Sequence, residues 1–131
     1  MRIIIGGAGR VGTELARALR AEEMDVVLVD SDSRAVKNAQ NLDVLVIHGD
    51  LTTREKLHEA GIGEAEIFVA ATNSDERNLL ACALAEHAHY QYGGPKAKPL
   101  LSISRVRSMN FMQEQKQGHL TRWAKVNHVV N

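Results

Sequence analysis

Ile3-Ile4-Ile5-Gly6-Gly7-Ala8-Gly9-Arg10-Val11-Gly12 is the stretch that decides the fold. Branched apolar residues running straight into G-x-G-x-x-G, Gly7 to Gly12, describe a buried strand that turns tightly into a helix. Each glycine at this spacing has its own task. Gly7 permits the turn, Gly9 lets the backbone approach a pyrophosphate, and Gly12 lets the helix pack closely on the strand. The helix that follows offers its free N–H groups and the positive end of its dipole to that phosphate. Glycines also gather in turns that serve packing alone, so the motif acquires meaning only from what surrounds it.

The surroundings repeat at regular intervals. Apolar runs occur at Ile3–Ile5, Val26–Val29, Val44–Ile47, Ile67–Ala71, Leu100–Ile103 and Val126–Val130. Most are continuous rather than alternating, the pattern of strands buried on both faces. Helix-length segments separate them. In the first, Val11, Leu15, Ala18 and Leu19 fall at i, i+4, i+7 and i+8 and predict the inward face. Asp50 or Thr52 is placed to cap the third helix, Thr52-Thr53-Arg54-Glu55 has capping-box spacing, and Gly61 sits where a left-handed stop belongs. The fourth helix is expected to begin near Asn73 or Ser74 and to turn Leu79, Leu80, Ala83 and Leu84 inward. From His87 to Pro99 the Tyr-Gln-Tyr-Gly-Gly-Pro sequence predicts a loop. The expectation is an α/β, Rossmann-like, doubly wound parallel sheet of six strands in the order 3-2-1-4-5-6, forming a single domain over residues 1–131.

Ligands of such sheets sit beyond the carboxyl ends of the strands. Asp30 closes the second strand, eighteen residues after Gly12, where a carboxylate accepts hydrogen bonds from ribose hydroxyls and repels a 2′-phosphate. NAD(H) or an adenine nucleotide is therefore favoured over NADP(H), although Arg34 follows in the loop. Ser31 adjoins the same corner. Asp50 and Leu51 end the third strand, where they can meet the adenine edge and ring. Thr72 and Asn73 end the fourth, near the phosphate or second ribose. These last residues read equally well as helix caps, and the two roles can coexist.

Nothing supports catalysis or a metal. His48, His58, His87, His89, His119 and His128 lack ligand spacing, and His87 and His89 read as surface residues. Cys82, between alanines, reads as a small core residue. No P-loop or nucleophile elbow is present. The site expected from the sequence is thus a binding site with no catalytic or metal residues.

Length and charge bound the remaining possibilities. The 131 residues, 14.4 kDa with 44% hydrophobic and 24% charged side chains, suit one soluble domain. Sixteen basic and sixteen acidic side chains give net charge zero, which argues against nucleic acid as a partner. The balance is uneven along the chain. Residues 1–94 carry nine basic and fifteen acidic groups, while 95–131 carry seven basic and one acidic, Glu114. One cysteine excludes an internal disulfide framework, no apolar run approaches the ~20 residues that span a bilayer, and the N-terminus lacks a signal-peptide layout. A cytoplasmic protein without direct membrane insertion is expected.

Met1 to Gly12, Val29-Asp30, His48-Gly49-Asp50, Glu59-Ala60-Gly61, Val69 to Asp75 and Asn78 together resemble the N-terminal, RCK/KTN-type domain of TrkA, the peripheral regulatory subunit of Trk potassium-uptake systems. Ile103 to Arg107 and Ala124 to Val130 resemble that family's fifth and sixth strands, whereas Ser108 to Trp123 matches poorly and the loop Tyr90–Lys98 is longer than usual. The resemblance implies a regulatory domain that binds NAD(H), or alternatively ATP, ADP or AMP, without turnover. It puts Gly7, Ala8, Gly9, Arg10, Val11 and Gly12 at the pyrophosphate, Asp30 at the ribose, Thr72 and Asn73 along the crevice, and Arg105 at a phosphate or the distal ribose. It further implies a homo-oligomer, a dimer building into a tetramer or larger ring, at the inner face of the membrane beneath a K+ transporter or channel. The C-terminal ligand subdomain of many relatives is expected to be absent. The rival readings are the cofactor half of an NAD-dependent dehydrogenase and an assembly scaffold with a vestigial site.

Overall fold

Successive residues of Ile3-Ile4-Ile5 point to opposite faces of a sheet, and all three are fully buried. Both faces must therefore be covered. In the computed structural model, which describes residues 1–106, they are. The chain runs β1 (Arg2–Gly6), α1 (Arg10–Ala21), β2 (Asp25–Asp30), α2 (Ser33–Ala39), β3 (Leu45–His48), α3 (Arg54–Glu59), a 3-10 turn (Ile62–Glu64), β4 (Ala65–Ala70), α4 (Asp75–Gly93), a second 3-10 turn (Gly94–Lys96) and β5 (Leu101–Ser104). The described strands are all parallel, in the order β3-β2-β1-β4-β5. This is the doubly wound, Rossmann-like α/β fold. The expected sixth strand at Val126–Val130 and the segment Ser108–Trp123 lie outside the described residues.

The two faces form two cores. Ile3, Ile5, Val26, Leu28, Ile67, Val69 and Ile103 pack beneath α1 and α2. Ile4, Val27, Val29, Phe68 and Ala70 pack beneath α3, α4 and the first 3-10 turn. Burial on both sides explains why the strand sequences are continuous apolar runs.

Several local expectations shift. On α1 the buried residues are Gly12, Ala16 and Leu19, with Val11 and Leu15 at the margin and Ala18 exposed. Gly12 brings the helix so close to β1 that the inward face is centred on the small residues. The cap of α3 is Thr53 rather than Asp50 or Thr52. Asp50 Oδ1 accepts both the N–H and the hydroxyl of Thr52, closing a turn that delays the helix by one residue. Gly61, at φ 87°, stops α3 as expected.

The correction on α4 is larger. Leu79 and Leu80 are exposed, as is Ala83, and the sheet is met instead by Asn78, Ala81, Ala85 and Ala88. Of the four residues expected inside, only Leu84 packs against the core, together with half-buried Cys82. The buried hydrogen bonds of Asn78 set the rotation of the helix, and a stripe of alanines lets it lie close to the strands. Nor is His87–Pro99 a loop throughout. Tyr90-Gln91-Tyr92 continues α4 to Gly93, and Gly94, at φ 70°, ends it.

His89, expected at the surface, is buried. Its Nδ1 lies 2.7 Å from the Ile62 carbonyl oxygen and its Nε2 2.5 Å from that of Lys98. The imidazole thus bridges the turn before β4 and the segment entering β5. Replacing His89 with leucine should lower the stability by about 2 kcal/mol, because the buried imidazole N–H donor to these carbonyls is lost. A urea midpoint equal to that of the native chain would show that the bridge is not structural.

Candidate functional site

The site is built by the carboxyl ends of the strands, which backbone bonds hold in line. Gly7 N–H donates to Val29 O at 2.8 Å, Ala71 N–H to Gly6 O at 2.7 Å, Gly49 N–H to Asp30 O at 2.9 Å and Arg105 N–H to Ala70 O at 2.8 Å. Beyond these ends opens a crevice of about 540 Å³, at the point where connections leave β1 for β2 on one side and reach β4 on the other.

The glycine loop forms its centre, and its three motif glycines differ in what surrounds them. Gly7 has φ 116°, and a Cβ there would stand 2.9 Å from the backbone of Ala71. At Gly12 a Cβ would stand 1.7 Å from the Gly7 carbonyl oxygen. Both positions exclude a side chain through the protein's own packing. Gly9 does not: its φ is −81°, open to any residue, and a Cβ there would meet nothing within 4 Å. Its open side faces the crevice, and the first N–H groups of α1, which have no partner within the helix, follow directly.

Asp30 stands at the other side of this loop. Its Oδ2 accepts Ala8 N–H at 2.7 Å and its Oδ1 accepts Asp32 N–H at 2.8 Å. The carboxylate therefore ties β2 to the glycine loop and still has lone pairs directed outward. Asp32 caps α2 by accepting Arg34 N–H. Leu51, almost fully buried, packs on Gly6, where a Cβ would stand 2.7 Å from its Cδ1, and forms the floor.

Along the end of β4, Thr72 donates its hydroxyl to Asn78 Oδ1 at 2.6 Å, and the same oxygen accepts Thr72 N–H at 2.9 Å. Asn78 Nδ2 donates to Arg105 O at 2.9 Å. A wholly buried amide thus fastens the β4–α4 loop to the end of β5. Ser74 caps α4, accepting Arg77 N–H at 3.2 Å. Asp50 Oδ1 accepts Arg77 Nη2 at 2.8 Å in addition to the two donors of Thr52.

Of the residues expected from the sequence, Gly7, Gly9, Arg10, Val11, Asp30, Ser31, Leu51, Thr72, Asn73 and Arg105 line the crevice together. Three do not. Ala8 turns its N–H to Asp30, Gly12 lies beneath the loop, and Asp50 stands behind Arg77. The lining also includes Ala71, at the strand end that the sequence places beside the crevice, and Asp32, Ala35 and Arg77, which sequence reasoning missed. Arg77 and Asn78 carried a signal: polar residues directly ahead of Leu79-Leu80-Ala81, one turn into a helix that starts at the crevice. No histidine, cysteine, lysine or tyrosine is among the described residues lining the crevice. Among the described residues no cluster of three or more His, Cys, Asp or Glu side chains is placed to hold a metal, and no helix is long and apolar enough to cross a membrane.

The donors of Thr52, with Arg77, hold the Asp50 carboxyl below the ordinary aspartate value of 3.8, outweighing desolvation, which acts the other way. A lowered folded-state value contributes stability that is complete above the ordinary value and is lost as pH falls through the folded one. Stability should therefore decline on acidification below about pH 4, and Asp50→Asn should flatten that decline. Superimposable stability–pH curves for the two chains would contradict it.

A model of the TrkA-N domain matches residues 3–131. Among curated proteins, the chain is 38% identical over 118 residues to the Trk system potassium uptake protein TrkA homolog of Pyrococcus abyssi, covering 89% of this chain and 50% of that protein. It is 33% identical over 131 residues to the Trk system potassium uptake protein TrkA of Vibrio alginolyticus, covering 99% of this chain and 27% of that protein. The chain thus spans half or less of the length of these relatives. Among solved structures, the Kef CTD of Shewanella denitrificans in AMP-bound form has a TM-score of 0.66 at 24% identity, over 91% of this chain and 68% of that one. The NAD(P)-binding domain of an exopolyphosphatase-related protein from Archaeoglobus fulgidus has a TM-score of 0.65 at 17% identity, over 97% and 96%. These two likenesses establish the fold.

Proposed function

The chain belongs to the TrkA-N domain family, and on that premise we propose that it is a regulatory nucleotide-binding domain of a potassium-uptake system. The observation that carries this reading is Gly9. Neither backbone geometry nor a protein neighbour fills the space beside Gly9, so the backbone there is open to a group approaching from the crevice. A phosphate seated over the N-terminus of α1 is the group that the motif, the free N–H groups and the helix dipole accommodate.

In this reading Gly9, Arg10 and Val11 hold the pyrophosphate, with Gly7, Ala8 and Gly12 shaping the loop. Asp30, with Ser31 beside it, receives the adenosine ribose hydroxyls. Leu51 lies against the adenine; Asp50, which does not line the crevice, acts through Arg77; and Thr72, Asn73 and Arg105 extend along the remaining crevice. NAD(H) is the favoured ligand and ATP, ADP or AMP the alternative. NADP(H) is disfavoured because its 2′-phosphate would lie against Asp30. The nucleotide acts as a ligand and not as a reactant. General acid–base chemistry needs a group within hydrogen-bond reach of the reacting atom, and the crevice residues that would hold a nicotinamide are hydroxyl, amide and guanidinium groups.

Regulation follows from linkage. A nucleotide shifts an equilibrium between two arrangements only by its differential affinity for them. The partners in this proposal are further copies of the chain, arranged as a dimer or larger ring, and a membrane-embedded K+ transporter or channel whose gating the ring biases from the cytoplasmic side.

The test is calorimetric titration with NAD+, NADH, ADP and ATP. The native chain should bind at least one of them, and Gly9→Ala should weaken that binding at least tenfold, about 1.4 kcal/mol. Its melting temperature should be unchanged, because the added methyl meets no protein atom. Asp30→Ala should weaken binding as well, by removing the ribose acceptor. Failure of the native chain to bind any of the four would reject the reading.

A further inference from the structure

Among the described residues lining the crevice, Arg77 is the charged one that a helix supplies beyond the glycine loop and the strand ends. It is the third residue of α4, and its Nη2 lies 2.8 Å from Asp50 Oδ1. It lines the crevice together with Arg10, Thr72, Asn73 and Arg105. Three features show that Asp50 is an exchangeable partner for it.

The first is the helix dipole. A cation in the opening turn of a helix is on the wrong side of the dipole, so Arg77 does not serve the stability of α4. That turn is already furnished with Asp75 and Glu76 and with the Ser74 cap. The second is exposure: the two side chains of the pair are each 43% accessible, so water can replace either partner. The third is that Asp50 does not depend on Arg77. Its Oδ1 keeps the Thr52 N–H at 2.8 Å and the Thr52 hydroxyl at 2.6 Å when the guanidinium leaves.

A phosphate in the crevice is the stronger partner. Its oxygens are not already shared with other donors, as Asp50 Oδ1 is with Thr52, and they match the fork of a guanidinium; a terminal phosphate also carries more charge than a carboxylate. We propose that Arg77 is a specificity-determining residue of the crevice that exchanges Asp50 for an oxyanion of the ligand and so grades nucleotides by the phosphates they carry. The proposal rests on the nucleotide-binding reading given above. The phosphate at Gly9 is common to every nucleotide. Arg77 meets one beyond it, present in nucleoside di- and triphosphates and in the pyrophosphate of a dinucleotide but not in a monophosphate.

Titrating the full chain with AMP, ADP, ATP and NAD+ at fixed ionic strength separates the possibilities. The native chain should prefer ADP to AMP. In Arg77→Gln the affinity for ADP and ATP should fall by about tenfold, the scale of one charge-assisted hydrogen bond, while AMP should change by no more than about twofold on the same scale. Arg77→Lys should recover part of the ADP:AMP ratio, and the urea midpoint of Arg77→Gln should stay close to the native one. A native chain that binds nucleotides with an ADP:AMP ratio unaltered by Arg77→Gln overturns the assignment, as does an equal loss for all four ligands. A native chain that binds none of the four overturns the nucleotide reading itself, and this assignment with it.

Discussion

The close approach of Gly12 to the Gly7 carbonyl is the constraint on which the rest of the site depends. A Cβ at Gly12 would overlap that oxygen outright, at 1.7 Å. With hydrogen there instead, α1 drops against the end of β1, and its first turn is aimed at the gap between β1 and β4 rather than at solvent above the sheet. Gly7 takes φ 116° to make the turn possible, and in doing so comes against the backbone of Ala71 at the end of β4. These two close contacts register three elements. The crevice is the space left above them.

Around that space the polar side chains serve as scaffold before they serve any ligand. Asp30 accepts two backbone N–H groups, Thr72 gives its hydroxyl to Asn78, and Asp50 shares one oxygen among three donors. These bonds preorganise the loops, so a ligand does not have to order them. They also use donors and leave acceptors: the second lone pairs of the Asp30 oxygens point to where hydroxyl groups would approach. An arrangement of this kind suits recognition.

Much of this could be read from the residues alone. The continuous apolar runs announced a sheet buried on both faces, and the G-x-G-x-x-G between a strand and a helix located its centre, because both patterns are local in sequence. What escaped was set by long-range polar contacts. The rotation of α4 is fixed by Asn78, which bonds Thr72 six residues away and Arg105 twenty-seven residues away. Periodicity turned Leu79 and Leu80 inward because apolar mass was the only guide. His89 escaped for the same reason: its two carbonyl partners, Ile62 and Lys98, adjoin neighbouring strands and are not adjacent in sequence. Arg77 drew no notice beside the acidic opening of its helix. Its meaning comes from Asp50, one strand and one helix earlier.

The charge pattern of the chain takes on a different sense once the residues are placed. Sequence divides the charges into an acidic first part and a basic remainder, yet the crevice draws on both. Arg10 and Arg77 come from the acidic part and meet Arg105 from the basic one, while Lys98 turns away and lies 3.5 Å from Glu66 at the side of the sheet. The carboxylates of the crevice, Asp30 and Asp32, stand together at the end of β2. The site is consequently polarised, with acceptors for hydroxyl groups at one end and guanidinium groups over the rest. A ligand that is neutral and rich in hydroxyls at one end and anionic along its middle matches this field in one orientation only. Reversing it would set phosphate against Asp30 and place hydroxyl groups among the guanidiniums. For the proposed nucleotide, orientation in the crevice would therefore be selected by electrostatics before any base-specific contact is made.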